Sequence, residues 1–216
     1  MSEFKKPLFN QFAQIAKAMS NGNRLEILEF LAQGEHSVEH LARSMKLTVA
    51  NTSHHLQQLR SSGLVEIRKE GTHVHYRLKG DKVIILLDTL KQVAEDNLAE
   101  VDVLVNTFLT CKDDSQPVTR EELMAKVEAG SVQILDVRPE HEFEAGHVPG
   151  AINLPLAQLE QQLESLDPKQ DVVAYCRGPY CILAFEAVEL LRNKGFSVKR
   201  LEDGYPEWKV AGLPCE

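Results

Sequence analysis

Hydrophobic residues recur at helical spacing through most of the first half of the chain. The spacing predicts four helices, with the sequences FNQFAQIAKAM (9–19), RLEILEFLAQG (24–34), SVEHLARSM (37–45) and VANTSHHLQQLRSS (49–62). Ser37 and Thr48 stand where N-cap residues of the third and fourth helices are expected. Two alternating runs then predict a β-hairpin that turns around Gly71, LVEIRK (64–69) and HVHYRL (73–78). A long helix is predicted from Asp81 to Leu109.

The second half has a different rhythm, in which short apolar runs alternate with helical patterns. The apolar runs predict buried parallel strands, VQILDV (132–137), AINLP (151–155), DVVAYC (171–176) and VKRLED (198–203). The helical patterns between and before them are REELMAKVEAG (120–130), LAQLEQQLESL (156–166) and CILAFEAVELLRNKG (181–195). This alternation is typical of an α/β domain with a central parallel sheet.

A polar, proline-containing stretch, TCKDDSQPVT (110–119), separates the two patterns and is typical of an interdomain linker. We therefore predict a mainly α domain at 1–110, a linker at 111–117 and an α/β domain at 118–216. A chain of 216 residues is long enough for two domains of about 100 residues each.

The charge composition adds information about partners only when the two halves of the chain are counted separately. The net charge of −8 argues against a nucleic-acid partner for the whole chain, but residues 1–100 hold 13 basic and 12 acidic side chains. The remainder holds 11 basic and 20 acidic side chains, so the acidity lies in the second half. The sequence has neither an apolar stretch of ~20 residues nor a signal-peptide core, and its four cysteines do not form a disulfide framework. We expect a cytoplasmic protein without a membrane partner.

The first half predicts a DNA-binding surface. Two helices joined by a short turn and followed by a hairpin describe a winged helix-turn-helix. On the fourth helix one face supplies core contacts, namely Thr52, His55, Leu56 and Leu59. The other face is small and polar, as contact with base edges and phosphates requires, and comprises Ala50, Asn51, Ser53, His54 and Gln57. The hairpin forms the wing, whose expected phosphate contacts are Arg68, Lys69, His73 and Arg77.

Residues 10–100, most specifically SHHLQQLRSSGLV and KEGTHVHYRL, resemble the ArsR-type (metalloregulator) repressor family. The resemblance implies a homodimer joined through the first and last helices and a short palindromic DNA operator. The sequence departs from the family's metal sensors, since EHSVEHLA lacks their paired cysteines and the last helix lacks histidine. His36 and His40 could share a metal ion, but a packing or solvated role is favoured. We expect neither a metal nor another cofactor.

The second half contains a candidate reactive cysteine. Cys176 follows an apolar strand and precedes a helix, where backbone N–H groups and the helix dipole stabilise an anion such as a thiolate. Arg177 adds a positive charge, while Gly178 and Pro179 suit a tight loop that continues through Tyr180 to a second cysteine, Cys181.

Three strings spread over residues 118–214 resemble the rhodanese (sulfurtransferase) domain: ILDVRPEHEFEAGHVPGAINLP, VVAYCRGPYC and LEDGYPEWKVAGLP. The resemblance implies that Cys176 accepts a sulfane sulfur as a persulfide and passes it to a thiol acceptor. It also implies that four polar residues brace the cysteine loop, namely Asp136, Arg138, Glu142 and His147. Related phosphatases place an arginine six residues after the cysteine, where this chain has Ile182, so sulfur transfer is favoured over oxyanion chemistry.

Cys181 admits three interpretations. It is a resolving thiol that attacks the Cys176 persulfide, a loop residue whose backbone alone matters, or half of a metal clip, although a C-x4-C pair alone is a poor zinc site. Cys111, at the start of the linker, is either inert or a redox partner whose oxidation perturbs the dimer.

Together these features predict a homodimeric transcriptional repressor that binds operator DNA and carries a sulfurtransferase domain. Its expected small-molecule partners are a sulfane-sulfur donor and a thiol acceptor. Two alternatives stay open: a sulfurtransferase enzyme that uses the winged helix mainly for dimerisation, and a thiol/disulfide redox-sensing repressor without turnover.

Overall fold

The computed structural model describes the backbone of residues 2–71 and 73–216, and their side chains except those of Ser2, Glu3 and His73. The chain forms two compact units, Met1–Asp88 and Thr89–Glu216. The division falls inside a helix, so it does not decide the predicted limits of 1–110, 111–117 and 118–216, which stay a prediction.

The first unit contains the predicted winged helix-turn-helix. Its elements are α1 (Ser2–Met19), α2 (Gly22–Gln33), β1 (His36–Ser37), α3 (Val38–Ser44), α4 (Val49–Ser61), β2 (Val65–Glu70) and β3 (His73–Leu78). The predicted N-caps are confirmed, because Ser37 and Thr48 accept hydrogen bonds from the backbone N–H groups of His40 and Asn51. The three strands form an antiparallel sheet in the order β1-β3-β2. The short strand β1 was not predicted.

The core of this unit is built from the apolar faces of its helices. Ile27, Leu28, Leu41, Leu56 and Leu59 are fully buried. In α2, Ile27 and Leu28 precede the buried Leu31 by four and three residues, and in α4 the buried Leu56 and Leu59 are three residues apart. Each helix therefore presents an apolar stripe to the core.

The prediction of one continuous helix from Asp81 to Leu109 is wrong. The structure has α5 (Lys82–Asn97), α6 (Ala99–Val105) and a π-helical turn (Asn106–Thr110). The break lies at Leu98, whose backbone is extended (φ −119°, ψ 99°). Neither glycine nor proline marks this position, so the helical pattern continues across it in the sequence.

The second unit contains the predicted α/β fold with a parallel sheet in the order β5-β4-β6-β7. Its strands are β4 (Val132–Asp136), β5 (Ile152–Asn153), β6 (Asp171–Tyr175) and β7 (Val198–Arg200). Its helices are α7 (Arg120–Glu128), α8 (Glu140–Glu144), α9 (Leu156–Leu159), α10 (Ile182–Asn193) and α11 (Tyr205–Val210). The helix predicted over 156–166 ends at Leu159 and is followed by a 3-10 turn at Leu163–Ser165.

Strand β6 lies in the interior of the sheet, between β4 and β7. Val172, Val173, Ala174 and Tyr175 are buried, since helices or loops cover both faces of the sheet. The carboxyl end of β6 delivers Cys176 to the edge where ligands of parallel sheets usually bind.

Candidate functional site

The faces of α4 separate as the sequence predicts. Thr52, His55, Leu56 and Leu59 are buried. Of the residues proposed to read DNA, Ala50, Asn51, His54 and Gln57 are exposed and Ser53 is half-buried. The polar face of α4 is therefore accessible, while its DNA-reading role stays a prediction.

The wing carries a network of opposite charges. Arg68 donates hydrogen bonds to Glu35 and Glu70, with N–O distances of 2.5 and 2.8 Å. Arg77 is within 2.7 Å of Glu66 and 3.4 Å of Glu35. A phosphate would have to compete with these carboxylates, which the sequence pattern did not indicate.

Lys69 and His73 are the other two wing residues predicted to contact phosphates. Lys69 is exposed and pairs with Val74 across the hairpin, so it lies on the opposite face from its neighbour Arg68. The side chain of His73 lies outside the described residues, and its predicted phosphate contact stays a prediction.

Large apolar side chains are exposed on α1, on α5, on α6 and on the π-helical turn. On α1 these are Phe4, Phe9 and Phe12, of which Phe4 is 74% exposed. On α5 they are Ile85, Leu86, Leu90 and Val93, and Leu86, Leu90 and Val93 lie on one helix face because they are four and three residues apart. Val103, Leu104 and Phe108 continue the exposed apolar series through α6 and the π-helical turn. Exposed apolar side chains on one helix face are candidates for an interaction surface.

His36 and His40 stack on each other with ring centroids 4.6 Å apart. His36 is buried and also packs edge-on against Phe30. These contacts support the packing role that the sequence favoured for His36.

The cysteine loop, residues 176–181, joins β6 to α10. Cys176 is 1% exposed, and Cys181 occupies the N-cap position of α10. The two cysteines are joined as a disulfide with their Cα atoms 6.1 Å apart. This separation lies in the ordinary range for disulfides.

The loop contacts two residues at the N-terminus of α11, Gly204 and Tyr205. The backbone N–H of Tyr205 donates to the carbonyl oxygen of Cys176 at 3.0 Å. A Cβ atom on Gly204 would overlap the backbone nitrogen of Gly178, so only glycine fits at position 204 without moving the loop. Sequence reasoning missed both positions, although the string LEDGYPEW contained them.

Glu142 on α8 forms an ion pair with Arg177 of the cysteine loop. The guanidinium group donates from Nε to both carboxylate oxygens at 3.0 and 2.9 Å and from Nη2 to Oε1 at 2.5 Å. The Glu142 side chain is fully buried. The expected positive charge of Arg177 is therefore matched by a buried negative charge, and this bidentate pair joins the loop to α8.

Asp136 and Arg138 form a second buried ion pair beside the start of the loop. Arg138 Nη2 lies 2.6 Å from Asp136 Oδ2 and also donates to the carbonyl oxygen of Gly146 at 2.8 Å. Burial disfavours the charged guanidinium, but hydrogen bonding and attraction to Asp136 prevail and raise the pKa of Arg138. The rings of Tyr175 and Tyr205 flank the guanidinium group of Arg138. For Tyr175 burial acts in the other direction, because it disfavours the charged phenolate and so raises the pKa of the hydroxyl group.

His147 contacts α8 and the last residue of the sequence. Its Nδ1 is 3.0 Å from the carbonyl oxygen of Phe143, and its ring stacks on Phe143 with centroids 3.6 Å apart. Its backbone exchanges two hydrogen bonds with Glu216. The bracing role suggested for His147, like those of Asp136, Arg138 and Glu142, stays a prediction.

The predicted linker lies within the second unit and packs against its α10 and β7. Asp113 is buried and accepts hydrogen bonds from Arg192 on α10 at 2.9 Å and Arg200 on β7 at 3.0 Å. Burial would raise the pKa of Asp113, but hydrogen bonds from Ser115 and the charge of Arg192 outweigh it and lower the pKa. Cys111 is exposed and its Sγ contacts the carbonyl oxygen of Thr107.

Across residues 2–71 and 73–216, every helix is too short or too polar to cross a bilayer. Among the described residues, no third histidine, cysteine or carboxylate joins Cys176 and Cys181 in a cluster that could hold a metal ion. The metal-clip interpretation of Cys181 therefore gains no support.

Comparison with known proteins finds two family matches. Residues 21–66 match the family described as bacterial regulatory protein, arsR family, and residues 119–211 match the rhodanese-like domain. The HTH-type transcriptional regulator Rv0324 of Mycobacterium tuberculosis is 46% identical over 215 residues, covering 100% of this chain and 94% of that protein.

Two further relatives cover the first half. The cadmium resistance transcriptional regulatory protein CadC of Listeria innocua is 33% identical over 46% of this chain and 82% of its own length. The solved structure of a homodimeric winged helix-turn-helix DNA-binding domain from Mycobacterium bovis is 43% identical, with a TM-score of 0.43, and covers 45% of this chain and 91% of that one.

Proposed function

Because the chain belongs to the ArsR family of bacterial transcriptional regulators and carries a rhodanese-like domain, we propose that it is a homodimeric repressor controlled by sulfane sulfur. In this proposal the polar face of α4 and the wing bind operator DNA in the cytoplasm. Cys176 takes sulfur from a persulfide, polysulfide or thiosulfate donor. The state of Cys176 then sets the affinity for DNA.

The observation that carries the sulfur chemistry is the position of Cys176. It is buried at the carboxyl end of an interior strand, in a short loop that leads directly into the twelve-residue helix α10. Backbone dipoles at such a junction stabilise a sulfur anion. The Cys176 thiolate attacks the sulfane sulfur of a donor R–S–SH, forming Cys176–S–SH and releasing the thiolate R–S⁻.

The second step depends on Cys181. Its thiolate attacks Sγ of the Cys176 persulfide, which forms the Cys176–Cys181 disulfide and releases HS⁻. No electrons are gained or lost overall, because the sulfane sulfur leaves reduced as the two thiols become oxidised. The direct bond between the two sulfur atoms supports this resolving role over a loop residue with an incidental side chain. An external dithiol then restores the reduced pair.

Dimerisation and DNA binding complete the proposal. The exposed apolar faces of α1 and of α5 and α6 are the surfaces proposed to meet a second copy. A two-fold symmetric dimer would place two α4 helices in successive major grooves of a palindromic operator.

The sulfur step is tested by intact-protein and peptide mass spectrometry after treatment with polysulfide. We expect one added sulfur atom on Cys176 in a Cys181→Ser variant, and a Cys176–Cys181 disulfide with released sulfide in the unaltered chain. Disulfide formation without released sulfide, and without sulfur gain in the Cys181→Ser variant, would contradict the proposal.

That contrary result would instead favour a redox-sensing repressor without sulfur turnover, which the disulfide also suits. A mobility-shift assay with DNA from upstream of the chain's own gene tests the regulatory part. Absence of binding at low salt would leave a sulfurtransferase in which the winged helix serves dimerisation alone.

A further inference from the structure

Arg24 connects the first helix to the helix proposed to read DNA. It lies in the first turn of α2, and its Nε and Nη2 donate to the carbonyl oxygens of Ala18 and Lys17 in the last turn of α1. Its Nη1 donates to Oε1 of Gln58 on α4 at 2.6 Å. The planar guanidinium thus satisfies two helix-end carbonyls and one side chain of α4 at once.

The contact with Arg24 decides how the Gln58 amide is oriented. Arginine has only donors, so the amide oxygen must face it. The amide nitrogen then lies 2.9 Å from Nε2 of His54, one turn earlier on α4. Since an amide NH₂ group has only donors, Nε2 of His54 must be the acceptor of this bond.

This chain of bonds selects one tautomer of His54. A neutral imidazole with an accepting Nε2 carries its proton on Nδ1. His54 is exposed on the polar face of α4, so Nδ1–H is the polar group that its ring can offer to a ligand. The adjacent His55 is buried, with its Nε2 3.4 Å from Asn23.

We propose that Arg24 and Gln58 are positioning residues that preset His54 as a hydrogen-bond donor to operator DNA. The inference rests on the proposed DNA-binding function and specifies the chemistry of that site. Its partner is an acceptor on DNA, either N7 or O6 of guanine in the major groove or a phosphate oxygen. Presetting the tautomer avoids reordering when DNA binds.

The tautomer is measured first, in the full chain without DNA. Nitrogen-15 NMR of histidine-labelled protein distinguishes a protonated Nδ1 from a protonated Nε2, and the His54 signal is the one missing from a His54→Gln variant. We expect the Nδ1–H form in the unaltered chain. In Arg24→Met and in Gln58→Met, we expect a shift towards the Nε2–H form.

Two controls separate positioning from charge and from helix stability. Arg24→Lys keeps the positive charge at the end of α1 but lacks the fork that reaches Gln58, so we expect it to behave as Arg24→Met does. Ser61→Ala removes a hydrogen bond to the Gln58 backbone carbonyl and should leave the tautomer unchanged. If Arg24→Met does not fold, Gln58→Met alone decides the question.

DNA binding is measured next, with a duplex from upstream of the chain's own gene. Loss of one positioned hydrogen bond should weaken binding about 5-fold for each half-site in Arg24→Met and Gln58→Met, but not in Ser61→Ala. A duplex made with 7-deazaguanine lacks the guanine N7 acceptors, and phosphate ethylation blocks the backbone ones. The change that abolishes the difference between Gln58→Met and the unaltered chain identifies N7 or a phosphate oxygen as the acceptor, and a difference that survives both changes identifies guanine O6.

Three results would overturn the inference. The first is an Nε2–H tautomer of His54 in the unaltered chain. The second is a changed tautomer in the variants with unchanged DNA affinity. The third is absence of binding by the unaltered chain, which would contradict the proposed function as well, while the NMR measurement would still report whether Arg24 and Gln58 select the tautomer.

Discussion

The α4 helix and the cysteine loop are both short, but they reach their geometry in different ways. The exposed and buried faces of α4 follow from residue spacing within thirteen residues. The six-residue cysteine loop depends on Glu142, Gly204 and Tyr205, which are distant in the sequence. An interaction surface can therefore be formed by local periodicity, whereas a buried reactive group requires several separate segments to meet around it.

The largest effect should come from Cys176→Ser. A serine hydroxyl cannot form a persulfide, so transfer of sulfane sulfur should fall by at least ~10³-fold. Sulfide release from polysulfide in the presence of a thiol measures the effect. Cys215→Ser, which alters an exposed cysteine, is the control and should retain activity. Equal loss in both variants would show that Cys176 has no special role.

The next effect tests how strongly the cysteine loop depends on a distant segment. In Gly204→Ala the new methyl group would overlap the Gly178 backbone and displace the loop, and a shift of about 1 Å can cost ~10²-fold in rate. The rate of sulfur gain on Cys176 is the measurement.

Gly80→Ala serves as the control for Gly204→Ala because a Cβ atom at Gly80 meets nothing within 4 Å. Normal sulfur uptake in Gly204→Ala would mean that the loop tolerates displacement. The position of the cysteine loop would then depend less on Gly204 than the close packing of these two segments indicates.

A third prediction concerns Asp113, whose buried carboxylate binds Arg192 on α10 and Arg200 on β7. Asp113→Asn leaves Arg192 and Arg200 without their negative partner and should lower the free energy of unfolding by ~3 kcal/mol at neutral pH. Urea unfolding measures it. Asp114→Asn, at an exposed neighbour, should change stability little.

The difference in the free energy of unfolding between Asp113→Asn and the unaltered chain should change with pH in a definite direction. Because the pKa of Asp113 is lowered in the folded state, its stabilisation is complete above the ordinary aspartate pKa of about 3.9. It is lost as the pH falls through the lower, folded-state pKa. The stability gap between Asp113→Asn and the unaltered chain should therefore close only in strong acid, and a gap that closes near neutrality would contradict the assignment.

The smallest effect is expected in the wing. Glu35→Gln removes a carboxylate shared by Arg68 and Arg77, which should let them contact phosphates, raise DNA affinity about 3-fold and steepen its salt dependence by roughly one counterion. Mobility shifts at several salt concentrations measure both quantities. Glu121→Gln makes the same change of charge on α7. An unchanged salt slope would mean that Arg68 and Arg77 do not approach DNA.

Much of the fold could be predicted because its signals are local. The N-caps at Ser37 and Thr48, the hairpin and the strand preceding Cys176 all follow from residue type and spacing over a few positions. The helix predicted over 156–166 failed because leucines at helical spacing also suit a short helix followed by turns. In the structure Leu159 and Leu166 are both buried in that way.

The sequence by itself determined which residue types are available: a polar face on α4, a cysteine after a buried strand and two domains of different periodicity. Only the tertiary structure decided their partners. Arg24 meets Gln58 across 34 residues, Arg177 meets Glu142 across 35, and Arg200 meets Asp113 across 87. Helix and strand periodicity is a property of the local backbone, whereas the pairing of charged groups depends on how whole elements pack, which no short window of sequence contains.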